Sequence, residues 1–333
     1  MKENAIDSLL AIEPLAPQVI ISLLEAAQRM DLHHPRPLLK GRRVALLFYE
    51  SSTRTRVSFE IAAKTLGAHT TLITAVASSI EKGESLIDTG RTLRAIGADA
   101  IVIRHPSSGA PNLLAGDLHI PIVNAGDGMH EHPSQGLLDA FTILQHKRKS
   151  TLLRANARAA GAPMAGLNIV TIGDIYHSRV ARSDVHVFTK LGANVTLCGP
   201  EPLLPATAHA LAPGIRLLYN MDEAIEGADV VMMLRVQKER LAGLEIETGE
   251  YIGRFQLTAQ RLRKAKKDAL VMHPGPMIRG MELTDEVADG AQSVVTEQVA
   301  NGVKVRMAVL ARLLSPQPTQ KQRLTMTPLG GKA

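Results

Sequence analysis

The chain has 333 residues, a formal net charge of +6 and a single cysteine, Cys198, which we expect to be a buried core thiol. This length is enough for two ordinary domains, and one cysteine excludes an internal disulfide framework and a cysteine-rich metal site. No apolar stretch reaches transmembrane length and the N-terminal residues lack a signal-peptide pattern, so we expect a cytoplasmic protein without membrane contact.

Nine short apolar runs are predicted to be strands: 43–48, 70–73, 100–104, 120–125, 168–172, 194–198, 216–219, 230–234 and 269–272. Apolar residues at helical spacing predict helices between them: 53–66, 85–96, 134–146, 179–191 and 221–226. Near-continuous apolar strands separated by helices are typical of parallel sheets with both faces covered. We therefore predict an α/β protein of two domains, each a parallel sheet flanked by helices.

The segment 147–165 is the best candidate boundary between the two halves, because it is basic and then rich in alanine, glycine and proline. We predict a first domain over 1–148 and a second domain over 149–296. A closing helix over about 297–314 is expected to pack back onto the first domain. The remaining tail, 316–333, is expected to be disordered.

Much of the positive charge lies in that basic segment, in the tail and in single arginines within polar motifs. Nucleic-acid binding is the first interpretation of such an excess. Aromatic side chains that could stack on bases are not interleaved with these cations, which argues against a nucleic-acid partner.

The most distinctive motif, FYESSTRTR, runs from Phe48 to Arg56 at the junction of a predicted strand and a predicted helix. Ser52 and Thr53 are favoured N-cap types, and a helix N-terminus offers unpaired N–H groups and partial positive charge. Hydroxyl and guanidinium groups crowd the same point, which suits a phosphate. The alternative is a capped helix with solvated arginines. The full run, following directly on a strand, favours an anion site.

Polar motifs follow most of the other predicted strands. These are Arg104-His105-Pro106, Gly126-Asp127-Gly128 leading to His132-Pro133-Ser134-Gln135, Gly173-Asp174 with Arg179, Arg235-Val236-Gln237, and His273-Pro274-Gly275-Pro276. In open α/β sheets, ligands bind outside the carboxyl ends of the strands. Packing alone does not explain so many polar motifs at one end of the strands, and we predict a single active site in the cleft between the domains.

Several standard motifs are absent from the sequence. There is no G-x-G-x-x-G after a strand, no G-x-x-x-x-G-K-[ST], no H-E-x-x-H and no G-x-S-x-G. His130-Glu131-His132 invites a metal interpretation, but further convergent ligands are missing and the following residues look like a helix start. We therefore predict neither a metal nor an organic cofactor.

Together these motifs resemble the aspartate carbamoyltransferases, a branch of the aspartate and ornithine carbamoyltransferase superfamily, from about Leu38 to Leu314. The STRTR run and the His-Pro-Ser-Gln motif are the most specific signatures. The sister ornithine enzymes carry a His-Cys-Leu-Pro motif, whereas 235–240 and 273–276 look like the aspartate branch. The resemblance implies transfer of a carbamoyl group from carbamoyl phosphate to the amine of L-aspartate, in pyrimidine (UMP) biosynthesis.

The resemblance also implies a role for each motif. Carbamoyl phosphate would be held by Ser52, Thr53, Arg54, Thr55, Arg104, His132, Gln135 and the backbone of Pro274 and Gly275. The catalytic residues would be Arg54, Thr55, Lys82, Arg104 and His132. L-aspartate would be bound by Lys82, Arg179, Arg235 and Gln237. Glu50 would pair with Arg179 and Arg240 when the domains close.

Partners are implied in the same way. The family forms homotrimers with shared active sites, so Ser78 and Lys82 would reach into the site of a neighbouring subunit. The stretch from His273 to Leu310 looks like bacterial forms that associate with dihydroorotase or a dihydroorotase-like chain. Two features depart from the family: the segment 147–165 is longer and more basic than usual, and Ile278 stands where an asparagine is expected.

Two alternative functions stay open at this point. One is a carbamoyltransferase for another amino acid such as ornithine, and the other is a non-catalytic assembly subunit. Both expected substrates are anions, which suits the arginine-rich motifs, whereas the ammonium group of ornithine would need an acidic partner.

Overall fold

The computed structural model describes residues 6–74, 83–147, 161–236, 243–244 and 246–315. These residues contain two separate sheets, and every strand pairing within them is parallel. The first sheet has the order β2-β1-β3-β4, with β1 (Arg43–Phe48), β2 (His69–Thr74), β3 (Ala100–His105) and β4 (Ile122–Asp127). The second has the order β7-β6-β5-β8-β9, with β5 (Asn168–Ile172), β6 (Asn194–Cys198), β7 (Arg216–Leu218), β8 (Val230–Met233) and β9 (Leu270–Met272).

Helices precede, connect and follow the strands. In the first half they are α1 (Pro17–Gln28), α2 (Thr53–Thr65), α3 (Leu86–Ala95), α4 (Ala110–Leu118) and α5 (Pro133–Lys147). In the second half they are α6 (Arg179–Lys190), α7 (Met221–Ala224), α8 (Thr248–Phe255), α9 (Ala259–Leu262), α10 (Asp285–Ala288) and α11 (Val295–Leu314). The two-sheet α/β architecture predicted from the sequence is therefore confirmed.

The predicted elements differ from the structure in two respects. Strand β4 begins two residues later than predicted, at Ile122, because Pro121 has no N–H group to donate to the ladder. Helices α1, α4, α8, α9 and α10 were not predicted. Helix α1 carried a clear signal, since Pro17 stands at its first turn and Val19, Ile20, Leu23, Leu24 and Ala27 form its buried face.

The strand order creates a switch point in each sheet. In the first sheet β1 and β3 are neighbours and Phe48 pairs with Arg104, so the chain segments that leave these two strands lie side by side. In the second sheet β5 and β8 are neighbours and Ile172 pairs with Met233. Ligand sites of open α/β sheets form at such points, and the two switch points supply the polar motifs of the first and second half.

One hydrophobic cluster joins the two halves. It contains buried side chains of β1, α5, α6 and α11, with Leu137 of α5 and Val185 of α6 among them. Helix α11 packs against α1, α2 and α5, all of which belong to the first half of the chain. The predicted domain limits 1–148 and 149–296 stay a prediction, and the predicted disordered tail lies outside the described residues.

Two further sequence predictions concern single features. Cys198 is fully buried, and burial raises the pKa of its thiol to about 12, which confirms a core thiol without reactive character. Within the ranges that the structure describes, no helix combines the length and the apolar character needed to span a membrane.

Helices α5 and α6 approach closely where the two halves meet. A Cβ atom placed on Gly136 would lie 3.0 Å from the carbonyl oxygen and 3.1 Å from the carbonyl carbon of Ser183. Both atoms belong to the backbone of α6 and cannot rotate away. Gly136 therefore sets the distance between the helices that carry His132 and Arg179 into the cleft.

We expect Gly136→Ala to destabilise the protein by about 1–3 kcal/mol, because the added methyl group overpacks a backbone contact. The matched control is Gly116→Ala in α4, where nothing lies within 4 Å of the added Cβ. That control should stabilise the helix by about 0.5–1 kcal/mol, since alanine loses less backbone entropy than glycine. Urea unfolding of both variants measures the difference, and equal stability of the two would contradict the close-contact argument.

Candidate active site

A cleft of about 890 Å³ lies between the two sheets, at the carboxyl ends of their central strands. Three helices begin at its wall: α2 with Ser52 and Thr53, α5 after His132, and α6 at Arg179. A helix N-terminus carries partial positive charge and free N–H groups, so the backbone itself makes this cleft attractive to anions.

Most of the site residues expected from the sequence line this one cleft. They are Glu50, Ser52, Thr53, Arg54, Thr55, Arg104, His132, Gln135, Arg179, Arg235, Pro274 and Gly275. The other expected residues, Ser78, Lys82, Gln237 and Arg240, lie outside the described residues. Their roles stay predictions.

The first turn of α2 is open toward the cleft. Ser52 occupies the N-cap position, yet its side chain makes no capping hydrogen bond, so the N–H groups of this turn keep their donor capacity. The hydroxyl of Ser58 donates to the carbonyl oxygens of Arg54 (2.6 Å) and Thr55 (3.0 Å), which ties this turn to the next turn of α2. The turn therefore presents backbone and hydroxyl donors together.

Positive charge dominates the cleft, which holds the guanidinium groups of Arg54, Arg104, Arg179 and Arg235. Burial, followed by the charge of Arg179, lowers the pKa of Arg104 to about 10, and Glu50 opposes this shift. Burial and the charge of Arg235 also lower the pKa of Arg54. These groups remain protonated at neutral pH and repel one another, so a bound anion would relieve the repulsion.

Glu50 links arginines from both halves of the chain. Its Oε2 atom accepts a hydrogen bond from Arg179 at 2.7 Å and lies 3.3 Å from Nε of Arg104. The Arg104 N–H does not point at the carboxylate, and Nε of Arg104 and one terminal nitrogen of Arg179 lack acceptors among the described residues. Glu50 thus balances only part of the charge and leaves donors for a ligand.

His132 is buried in the cleft wall as a neutral imidazole. Burial first, and then the charges of Arg104, Arg306 and Arg179, hold its pKa well below the usual value. Its Nε2 atom lies 3.4 Å from Oγ1 of Thr55, and its Nδ1 atom has no hydrogen-bond partner in the part of the chain that the structure describes. A neutral imidazole can donate one hydrogen bond to a ligand oxygen without adding charge.

A buried chain of hydrogen bonds holds His132 in place. Its backbone N–H donates to Oγ of Ser183 at 2.9 Å, and that hydroxyl donates to Glu131 at 2.7 Å. The Glu131 carboxylate also accepts from the backbone N–H groups of Ile12 and Glu13, at distances between 2.9 and 3.1 Å. The sequence motif identified His132, but it gave no sign of Ser183 or of the role of Glu131, because their partners lie more than fifty residues away in the chain.

The loop after β9 closes the cleft over α2. Gly275 has a φ of +71°, and a Cβ atom placed on it would lie 2.7 Å from Cζ of Arg54. The Gly275 N–H donates to Nδ1 of His273 at 2.8 Å, and the backbone N–H of His273 donates to Gln298 at 3.0 Å. Only a residue without a side chain allows this close approach of the loop to the Arg54 guanidinium.

Several lining residues were missed by the sequence interpretation: Ser58, His177, Ser178, Gln298 and Arg306. Asp174 and His177 form a hydrogen-bonded pair at 2.9 Å. Gln298 and Arg306 belong to α11, whose apolar pattern predicted a closing helix but gave no sign that it borders the site. A buried arginine within an apolar helix is the signal that could have found it.

The donor set does not suit a metal ion. Among the described residues, no group of three or more histidine, cysteine and acidic side chains is placed to hold one. His130 is turned to Asp127 at 3.1 Å, away from His132. The arginine-rich wall attracts anions and repels cations.

Comparison with known proteins identifies the family. The family model described as "Aspartate/ornithine carbamoyltransferase, carbamoyl-P binding domain" matches residues 7–145, and the companion "Asp/Orn binding domain" model matches residues 165–313. The aspartate carbamoyltransferase catalytic subunit of Koribacter versatilis is 61% identical over 315 residues, which cover 95% of this chain and 99% of that protein.

Solved structures of both branches share the fold. Aspartate transcarbamoylase from Trypanosoma cruzi, in complex with carbamoyl phosphate and aspartate, has a TM-score of 0.79 at 30% identity and covers 94% of this chain and 97% of its own. Ornithine carbamoyltransferase from Pyrococcus furiosus has a TM-score of 0.79 at 30% identity, covering 94% and 98%. With both domain models matched in order and a 61% identical relative along almost its whole length, the chain belongs to the aspartate carbamoyltransferases of the aspartate/ornithine carbamoyltransferase family.

Proposed function

We infer that this chain transfers the carbamoyl group of carbamoyl phosphate to the amine of L-aspartate, giving N-carbamoyl-L-aspartate and phosphate in pyrimidine biosynthesis. The observation that carries this assignment is the gathering of Arg54, Arg104, Arg179 and Arg235 in one cleft at the N-terminus of α2. Both substrates are anions, and only a cleft of this charge can hold a phosphate and a dicarboxylate next to each other.

Carbamoyl phosphate is proposed to bind at the first turn of α2. Its phosphate would accept hydrogen bonds from Ser52, Thr53 and Arg54 and from the free N–H groups of the turn. Its carbonyl oxygen would face Thr55, Arg104 and His132. The 3.4 Å separation of Thr55 Oγ1 and His132 Nε2 supports this placement, because both atoms reach the same point in the cleft.

The proposed reaction needs no protein nucleophile. The neutral amine of L-aspartate attacks the carbamoyl carbon, a C–N bond forms, and the C–O bond to phosphate breaks with its electron pair leaving on phosphate. Negative charge grows on the carbonyl oxygen, where removal of one fixed donor typically costs about 10²–10³ in rate. The departing phosphate takes the proton of the amine. Orientation in the closed cleft supplies much of the remaining acceleration.

L-aspartate is proposed to bind on the second half of the chain, to Arg179 and Arg235, with Gln237 and Lys82 as further contacts. The described carboxylates of the cleft wall, Glu50 and Asp174, are engaged with Arg179 and His177. Neither is left to receive the side-chain ammonium of ornithine. This argues for a dicarboxylate as the second substrate.

We also propose the finer organisation implied by the sequence. The domain limits 1–148 and 149–296, with 297–314 returning to the first domain, agree with the packing of α11. A homotrimer with shared sites, its association with a dihydroorotase or dihydroorotase-like chain and a cytoplasmic location remain predictions. Native mass measurement with and without a dihydroorotase addresses the assembly.

The purified chain is expected to release phosphate from carbamoyl phosphate with L-aspartate and to form N-carbamoyl-L-aspartate stoichiometrically. The parallel assay contains L-ornithine in place of L-aspartate. Turnover with ornithine alone would sink the aspartate assignment. No turnover with either amino acid would support the non-catalytic assembly subunit instead.

Gly275→Ala is expected to lower kcat/KM by about tenfold to a hundredfold, because the new methyl group displaces the Arg54 guanidinium from the phosphate subsite. The matched control is Gly280→Ala, which has a similar φ of +79° but nothing within 4 Å of the added Cβ. Both variants carry a backbone strain of roughly 1–2 kcal/mol, so their stabilities should fall alike. An equal loss of activity in both would show that strain, not Arg54, is responsible.

Shared sites are tested by subunit mixing. Trimers of Lys82→Ala alone or of Arg54→Ala alone are expected to be nearly inactive. Trimers mixed from both variants should regain activity at roughly a quarter of their sites. At those sites an intact Arg54 of one subunit meets an intact Lys82 of its neighbour. Steady-state assays after dissociation and reassociation, with mass spectrometry to confirm mixing, make the measurement. Confirmed hybrids without any recovery would place each site within one chain.

A further inference from the structure

Two aspartates are buried together behind the cleft, at the contact between α5 and α6. Asp139 and Asp184 each have no exposed surface. Nε2 of Gln135 donates to both carboxylate oxygens of Asp139, at 3.0 and 3.1 Å, and the side-chain amide nitrogen of Gln298 also donates to this carboxylate. Asp139 is therefore surrounded by donors and is well placed to carry a negative charge.

Asp184 has the opposite surroundings. Both of its carboxyl oxygens are buried, and neither has a hydrogen-bond donor among the residues that the structure describes. Its polar neighbour is the carboxyl group of Asp139, which follows burial among the causes that raise the pKa of Asp184. Two ionised carboxylates cannot hydrogen-bond to each other and repel strongly in a buried site, so such pairs hold a proton between them.

The charged side chains around Asp139 and Asp184 are consistent with one negative charge on the pair. Arg306 of α11 is buried and faces Asp139. It forms no ion pair within 4 Å in the described part of the chain, and its guanidinium carbon lies 5.0 Å from the ring centroid of Phe59. His132, at the start of α5, is neutral, with Arg104 and Arg179 beyond it. Burial, the largest influence, raises the pKa of both aspartates.

We propose that Asp139 and Asp184 share one proton, carried by Asp184 and donated to Asp139, and that this pair is a positioning device for the carbamoyl subsite. An ionised Asp139 accepts only from the amide nitrogen of Gln135, so the amide oxygen of Gln135 is left for the cleft. That oxygen accepts a hydrogen bond from the amino group of carbamoyl phosphate. The inference rests on the proposed function, in which Gln135 is one of the residues that hold carbamoyl phosphate.

The shared proton makes both the stability of the protein and its binding of carbamoyl phosphate depend on pH. The folded chain keeps a proton that the unfolded chain has lost above the ordinary aspartate pKa, so stability falls as pH rises from there through the raised pKa of the pair. Loss of the proton also removes the Asp184–Asp139 hydrogen bond and leaves two charges behind Gln135. Binding of carbamoyl phosphate should therefore weaken as pH rises through the raised pKa of the pair.

Asp184→Asn tests the proposal, because its amide N–H₂ group is a permanent donor in place of the shared proton. The KM for carbamoyl phosphate should rise in the natural chain as pH passes through the raised pKa of the pair, and this rise should disappear in Asp184→Asn. Asp184→Ala, which has no donor, should raise that KM about tenfold at every pH. Asp229→Asn is the control, since Asp229 is also buried but pairs with Lys266 at the opposite end of the second sheet.

Two measurements are independent of activity. The first is urea unfolding between about pH 5 and 9. The equilibrium constant for unfolding should increase more steeply with pH in the natural chain than in Asp184→Asn, by up to about tenfold per pH unit. Carboxyl ¹³C NMR of aspartate-labelled protein should show a resonance that titrates far above the others and is absent from Asp184→Asn. If neither the steeper pH dependence of unfolding nor the titrating resonance is observed, the proposal that the two aspartates share a proton is overturned.

The remaining outcomes separate this inference from the proposed function. In one outcome the two aspartates share a proton, but the KM for carbamoyl phosphate depends on pH in the same way in the natural chain and in Asp184→Asn. That result would overturn the positioning role alone. A chain that transfers no carbamoyl group would overturn the proposed function, while the unfolding and NMR measurements would still decide whether the proton is shared.

Discussion

Mutual repulsion of guanidinium groups is the constraint on which the rest of this structure depends. Arg54, Arg104, Arg179 and Arg235 converge on one cleft, and partial burial strengthens their repulsion. They remain together because each is attached to an element fixed by the core: the first turn of α2, the end of β3, the start of α6 and the end of β8. Glu50 offsets part of the charge across the two halves, and the unpartnered donors are left for anionic substrates.

The groups packed behind these arginines matter as much as the arginines themselves. His132 stays neutral because it is buried among arginines, and its backbone is tied to α6 through Ser183 and Glu131. Behind Gln135, the Asp139–Asp184 pair and Arg306 bring compensating charges into the same buried region. The chain thus surrounds an anion site with groups whose protonation depends on burial. Packing of α5, α6 and α11 consequently governs the chemistry of the cleft.

The fold and the choice of the second substrate are separate questions. Aspartate and ornithine carbamoyltransferases both superpose on this chain with TM-scores of 0.79, so shape does not distinguish them. Charge does, because a dicarboxylate needs cations where the side chain of ornithine needs an anion. We propose that Arg179 and Arg235 supply those cations from the second half of the chain, where the nearby carboxylates are already engaged.

The α/β class, the two sheets and most residues of the cleft could be predicted from the amino-acid sequence alone. Strand alternation is a local pattern, and the residues within each motif, such as STRTR or His-Pro-Ser-Gln, are consecutive in the chain. The sequence prediction missed α1, α4, α8, α9 and α10, placed the start of β4 two residues too early and overlooked Asp139, Asp184, Gln298 and Arg306. Only the tertiary structure brings these residues together, because their partners are distant in the chain. Burial then decides their charge, and burial depends on how α5, α6 and α11 pack.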